Sequence, residues 1–344
     1  MEKVCVVGFG AIGSLYAFAL EKSGKAEVTA VCRSNYTTVS QHGLAIISDK
    51  LGTRPPWHPT RVVRDVEEAA DQQYSYIICA NKCLPDLHKT SDILRPLLNT
   101  LHNSPSTSIV LLQNGIGMED DIQETLRDLG LDNPVISGCA WVDVTVTEEG
   151  RTVAQHGNER LVLGYHTPIS TTNFSEAASR AALTRFCDLL ALGGVSPEST
   201  DIDIARWRKV LWNASFSTVC TLTRSRVGDV LAVSEARASL LDIMSEVLQV
   251  ARAVLPANAA VKQVLHDQVA QDIVNNENPA SVFKPSMLQD LEGGRPMEIE
   301  AIVGGILKRA KAKGIEVPRL TLVYAGLKVL QIQLMQRRQN TVHK

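Results

Sequence analysis

The chain has 344 residues, 44% of them apolar and 21% charged, and a formal net charge of −2. That length accommodates two domains, the near-neutral charge offers nothing to a nucleic acid or an anionic membrane surface, and the longest apolar runs are strand-sized, well short of the ~20 residues of a membrane span. Seven scattered cysteines (Cys5, Cys32, Cys79, Cys83, Cys139, Cys187, Cys220) suit reduced thiols in the cytoplasm and no disulfide framework. Val4 to Val7 read as a buried parallel strand, and Ser14 to Glu21 as a helix opening straight out of Gly8-Phe9-Gly10-Ala11-Ile12-Gly13. Glycines at this spacing between a strand and a helix form the fingerprint of a dinucleotide-binding unit. The first permits the tight turn, the second admits a pyrophosphate and the third lets helix and strand pack. The anion would rest on the helix N-terminus, where free N–H groups and the dipole favour it. No targeting peptide is expected, because the chain enters this strand almost at once.

The second strand, Glu27 to Val31, ends at Cys32-Arg33-Ser34. An NAD site usually carries an acid about 20 residues after the fingerprint. Here the place holds Arg33, and no carboxylate lies between Ala30 and Ser48. A guanidinium pairs with a phosphate, so the expected cofactor is NADP(H), against the alternative of an ordinary surface arginine. Tyr74 to Ala80 and Ser108 to Leu112 are further strands, each followed by a loop and a helix, and Pro134 to Trp141 continues the sheet. This alternation predicts a Rossmann-type doubly wound α/β domain. Thr145 to Glu148, Thr152 to His156 and Arg160 to Leu163 read as short antiparallel strands with a hairpin turn at Glu149-Gly150, and Glu176 to Leu192 as a helix. Beyond it the pattern is all-helical: Arg206–Leu222, Ser234–Leu255, Val261–Asn275, Met287–Glu292, Met297–Lys313 and a helix from about Leu320 to a basic tail. The expected division is 1–198 for the nucleotide-binding domain and 199–344 for an all-α C-terminal domain. The apolar helices of the second half could serve a core or a homodimer face equally.

Loops after strands of such a sheet face its ligand crevice. Two of them carry Asn81-Lys82 and Gln113-Asn114-Gly115-Ile116-Gly117. Lys82 is a candidate cation for cofactor or substrate, or an exposed loop lysine; Asn114 is a candidate contact to ribose or nicotinamide, or a turn residue. In the helical half, Lys209, Asn213 and Ser217 recur every four residues and so share a helix face, either lining a cleft or forming a solvated stripe. Ser286 begins a short helix, as ligand contact or cap. Glu298 opens a long one, as a catalytic carboxylate or one that the helix dipole favours. Cys79 and Cys83 lack a second ligand pair, so no metal site is expected.

Taken in order, GFGAIG, Cys32-Arg33, Asn81-Lys82, QNGIG, Trp207-Arg208-Lys209 with Asn213, Ser286-Met287-Leu288-Gln289-Asp290 and Met297-Glu298-Ile299-Glu300 resemble the ketopantoate reductase family over nearly the whole chain. The resemblance implies a Rossmann domain, a helical domain, a site in the cleft between them, and NADPH-dependent reduction of a small 2-oxo acid. The expected substrate is 2-dehydropantoate, reduced to pantoate in pantothenate biosynthesis. It further implies Lys209 as general acid and Glu298 as the carboxylate that engages substrate and orients the lysine. Asn213 and Ser286 become substrate contacts, Asn114 and Lys82 cofactor-side residues, and Arg33 the 2′-phosphate clamp. Two positions depart from the family pattern. Ser217 and Phe283 stand where its best-known members have asparagines, and Phe283 is large and apolar. A reductase on the same scaffold acting on a different carbonyl substrate is therefore one alternative. A regulatory protein that senses NADP(H) without turnover is another.

Overall fold

Ten strands form one sheet in the first half of the chain in the computed structural model, which describes residues 1–147, 150–167 and 174–342, with side chains through residue 338. The strands are β1 (Glu2–Val7), β2 (Ala26–Val31), β3 (Leu44–Ser48), β4 (Arg54–Trp57), β5 (Arg61–Val63), β6 (Tyr76–Cys79), β7 (Ser108–Leu111), β8 (Val135–Thr147), β9 (Thr152–Tyr165) and β10 (Glu198–Ser199). Their order is β4-β3-β9-β8-β7-β6-β1-β2-β5, with β10 beside β9. The run β5-β2-β1-β6-β7-β8 is parallel throughout. This is the doubly wound order, with its reversal between β1 and β6. Those central strands are apolar on both faces, as they must be with helices covering each side: Val4, Val6, Ile77, Ile78, Ile109 and Val110 are all essentially inaccessible.

Two compact units divide the molecule. The first holds Met1–Cys83, His88–Gln113 and Met118–Ile202. The second runs from Asp203 onward and also takes in Leu84–Leu87 and Asn114–Gly117. Helices of the first unit are α1 (Ala11–Lys22), α2 (Tyr36–His42), α3 (Val66–Ala69), α4 (Thr90–Leu98), α5 (Met118–Asp128) and α6 (Glu176–Leu192). The second unit contains α7 (Ile202–Trp212), α8 (Thr218–Thr223), α9 (Val227–Leu231), α10 (Ser234–Val254), α11 (Ala259–Val264), α12 (Val269–Asn276), α13 (Ser286–Glu292), α14 (Gly305–Ala312) and α15 (Pro318–Val342). Its long helices pack through Leu240, Met244, Val247, Leu288, Ile306 and Leu327, all buried. Glu246 of α10 accepts from the backbone N–H groups of Arg319 (3.1 Å) and Leu320 (2.9 Å). This caps α15, where Pro318 supplies no donor.

Several expected elements differ. The three short antiparallel strands are parts of one long hairpin, because β8 continues through Trp141 to Thr147 and β9 through His156 to Tyr165, with a register shift between Val142 and Asp143. Of the expected turn, Glu149 lies outside the described residues, as does Glu148, whereas Gly150 has φ 87°. The expected Val261–Asn275 helix is two helices, α11 and α12. Strands β3, β4 and β5 and helix α9 carry no long apolar period and are not evident from the sequence. β4 contains Pro55-Pro56 and lies at the sheet edge, where a missing backbone donor costs no ladder bond.

The three fingerprint glycines occupy three different surroundings. Gly8 has φ +95°, and a Cβ there would lie 2.2 Å from the Asn81 backbone nitrogen. A Cβ on Gly13 would lie 2.2 Å from the Gly8 carbonyl oxygen, whereas one on Gly10 would meet nothing within 4 Å. Gly13→Ala should therefore lower stability by about 1–3 kcal/mol, the usual cost of overpacking, whereas Gly10→Ala should leave it unchanged. Thermal unfolding of the two variants beside the parent measures this, and equal midpoints would contradict the packing assigned to Gly13.

Candidate functional site

In the first unit the reversal point of the sheet is built from the loops after β1 and β6. Gly10 precedes α1, a helix of 12 residues, and the space over Gly10 is open. Free N–H groups at the helix start and room for a backbone-hugging anion fit a dinucleotide pyrophosphate. Phe9 is buried, and its carbonyl accepts from Asn35 Nδ2 at 2.7 Å, which ties the glycine loop to the loop after β2. Ala11 and Ile12 are half-buried at the first turn of α1, and Arg33 is exposed at the end of β2. Lys82 is exposed after β6. The turn before it is ordered by the Cys79 thiol, which donates to Asn81 Oδ1 (2.7 Å), and by Asn81 Nδ2, which donates to the Lys82 carbonyl (3.1 Å). Burial pushes the Cys5 and Cys32 thiols up to about 12, so both stay protonated at neutral pH. Among the described residues no group of three or more His, Cys, Asp or Glu could hold a metal.

In the second unit a lysine, an amide and a carboxylate come together. Lys209, half-buried on α7, donates from Nζ to Asn114 Oδ1 at 2.9 Å. Asn114 Nδ2 in turn donates to Glu298 Oε2 at 3.3 Å. Glu298 is only 4% exposed, and a carboxylate taken out of water must be hydrogen-bonded. The sequence places Asn114 on the cofactor side; here both ends of its amide engage these two residues. Asn114 thus links Lys209 and Glu298 through the two ends of its amide.

Glycine chemistry holds that amide in place. Gly115 has φ +97°, and a Cβ there would lie 2.3 Å from the Ala301 carbonyl oxygen, so no side chain is tolerated. The next residue, Ile116, donates its N–H to that same oxygen at 3.0 Å. Arg206, 3% exposed, donates from Nη1 to the Gly115 carbonyl at 3.1 Å. Arg206 is not among the residues singled out from the sequence. Its signal is a charged residue within an otherwise apolar helix turn (Ile204, Ala205, Trp207).

The helix that bears Lys209 and the one that follows Glu298 both depart from α geometry. Asn213–Ser217 and Glu300–Gly304 are π-helical turns, and they pack on each other. A π turn accommodates one extra residue, and such turns recur at functional sites. The four-residue spacing of Lys209, Asn213 and Ser217 thus runs from α7 through the first π turn. Asn213 is half-buried, whereas Ser217 is 2% exposed. Around the first π turn, Ser215, Thr218 and Thr221 hydroxyls donate to the carbonyls four residues back (2.7, 2.7 and 2.6 Å), bonding that bends and loosens α-helices. At the second, Tyr324 OH and Lys328 Nζ donate to Glu300 Oε1 at 2.6 and 2.8 Å, and Lys328 also reaches Asp86 at 3.2 Å. Burial and then the Glu300 carboxylate push Tyr324 up to about 12. Burial pulls Lys328 down, but Glu300 and Asp86 outweigh it and the ammonium is held above its ordinary range.

The remaining expected residues are more open. Ser286 is exposed at the first position of α13, and Pro285 is the residue at the cap, so the serine does not cap the helix. Phe283 is 36% exposed, its ring 6.2 Å from Trp212. Trp212 stacks on Phe216 at 5.4 Å and donates from Nε1 to Glu277 at 2.7 Å. No helix among the described residues is long and apolar enough to cross a membrane.

Two family models match the chain: Ketopantoate reductase PanE/ApbA over residues 4–168 and Ketopantoate reductase PanE/ApbA C terminal over residues 201–331. An uncharacterized protein of Saccharomyces cerevisiae, YDL144C, is 30% identical, the alignment covering 98% of this chain and 96% of the relative. A 2-dehydropantoate 2-reductase of Nostoc is 24% identical over 96% of this chain and 95% of its own. The crystal structure of 2-dehydropantoate 2-reductase from Methylococcus capsulatus superposes with a TM-score of 0.75 at 30% identity, covering 96% of this chain and 97% of that one. On these matches, which between them take in both halves of the sequence, the chain belongs to the ketopantoate reductase family of oxidoreductases acting on CH–OH groups.

Proposed function

We propose that the protein reduces a 2-oxo acid with NADPH, 2-dehydropantoate being the substrate, and that Lys209 is the general acid. The observation that supports this reading best is the bridge from Lys209 through Asn114 to the buried Glu298. In this reading Lys209 acts as an ammonium bound to the Asn114 amide. It polarises the substrate carbonyl, stabilises the oxyanion that develops, and donates the proton that completes the hydroxyl. Glu298 engages the substrate on its hydroxyl side, and Asn114 keeps the carboxylate and the ammonium in a fixed relation. Asn213, Ser217 and Ser286 are assigned to substrate polar groups. The Ser286 hydroxyl is exposed and has no partner among the described residues.

The glycine loop suits the cofactor pyrophosphate, Arg33 its 2′-phosphate, and Lys82 a further cofactor-side contact. When bound, the reduced nicotinamide supplies the hydride to the carbonyl carbon. The Arg33 guanidinium is exposed, and no described residue accepts a hydrogen bond from it, which leaves its donors for a phosphate. A second reading keeps the chemistry and changes the substrate. Phe283, exposed beside Trp212, offers an apolar side chain where a polar one is expected, and it favours a 2-oxo acid with a bulkier apolar side chain.

Lys209→Ala should lower kcat by roughly a hundred- to ten-thousand-fold, the span of general acid catalysis, with the NADPH Kd within about twofold of the parent. Steady-state rates with ketopantoate, together with NADPH fluorescence titration, test this; undiminished turnover would remove Lys209 from the role. Arg33→Asp should weaken NADPH by at least about tenfold and NADH by much less, and equal losses would remove the 2′-phosphate assignment. A panel of 2-oxo acids decides the substrate: kcat/KM highest for ketopantoate supports the first reading, highest for an aromatic 2-oxo acid the second.

A further inference from the structure

A second arginine lies at the place where the cofactor's adenosine end is expected. β2 and β5 are parallel neighbours with Val31 opposite Val63, and the Cys32 N–H donates to the Val63 carbonyl at 2.9 Å. Arg33 follows β2 by two residues and Arg64 follows β5 by one, so two cations leave the sheet from the carboxyl ends of adjacent strands. The Arg64 guanidinium stands over the Tyr36 ring, 4.1 Å from its centroid, a cation–π contact that holds its position. Arg64 is exposed, and no described residue accepts a hydrogen bond from its guanidinium. Five donors on a fixed plane with no acceptor form a ready anion site. Nearby acids are committed to the backbone: Asp65 Oδ1 accepts from Glu68 N–H (2.8 Å) and Glu68 Oε2 from Arg64 N–H (2.9 Å).

The path from the glycine loop to this pair is short and ordered. Asn35, whose side chain binds the Phe9 carbonyl, precedes Tyr36 at the start of α2. A nucleotide with its pyrophosphate over Gly10 therefore has its ribose end directed along Asn35 toward Arg33 and the Tyr36–Arg64 stack. We propose that Arg64, carried by Tyr36, is a second cation for the adenosine 2′-phosphate and selects NADPH over NADH alongside Arg33. This inference rests on the NADPH reading given above.

Calorimetric titration with 2′,5′-ADP and with 5′-AMP isolates the phosphate from the rest of the cofactor. Arg64→Ala should raise the Kd of 2′,5′-ADP by about tenfold and leave that of 5′-AMP within about twofold. Tyr36→Leu, which frees the guanidinium while keeping its charge, should give a smaller loss of the same selective kind. If Arg64→Ala changes both ligands equally or neither, while Arg33→Asp remains selective, Arg64 has no part in the site and the cofactor reading stands. If the parent protein binds 2′,5′-ADP no better than 5′-AMP, the cofactor reading fails and the role of Arg64 with it.

Discussion

One amide organises the helical unit's polar centre. An asparagine side chain has an end that accepts and an end that donates, and at Asn114 the first meets an ammonium and the second a carboxylate. An aspartate there would accept from Lys209 and repel Glu298, whereas an apolar residue would remove both hydrogen bonds from a buried polar centre. The neutral amide links an ammonium and a carboxylate of opposite charge through one side chain. Arg206 and the Ala301 carbonyl fix the backbone from which the amide projects, so the polarity of the site is set by main-chain geometry as much as by side-chain identity.

The nucleotide-binding unit solves a different problem. There backbone is brought close to backbone at the glycine loop, and arginines follow the ends of β2 and β5. The order β5-β2-β1 places the ends of β2 and β5 beside each other, so the segments that carry residues 33 and 64, distant in sequence, leave the sheet from adjacent strands.

Much of this was legible in the chain. The glycine motif reads correctly because strand, turn and helix succeed one another within a dozen residues and each obeys local rules. The doubly wound sheet and the helical second half arise from long apolar periods. Short elements did not show themselves: β4 is two prolines and two flanking residues, and β5 has three residues, too few for a period to register. Lys209, Asn114 and Glu298 were each candidates in the sequence, but their coming together was not legible, because the meeting of residues 114, 209 and 298 is tertiary. Arg206 was passed over because an arginine at a helix start reads as solvated, and Arg64 because its significance comes only with the pairing of β2 and β5. The winding after Lys209 was not legible either, since the added residue of a π turn is invisible to a count in fours.

That added residue has an implication for anyone seeking a sturdier version of this protein. Stretches 213–217 and 300–304 are where the main chain is least well wound, and an automated search for better helix formers would choose them first. Replacing Ser215 or Thr218 with alanine, or filling Gly304, against which the Glu300 carboxylate is folded, would favour ordinary winding. Each residue of an α-helix advances by about 100°, so losing the surplus would swing a whole turn away from its present bearing. Hardening is better sought on the solvent side of α10 and α15, leaving both irregular turns untouched.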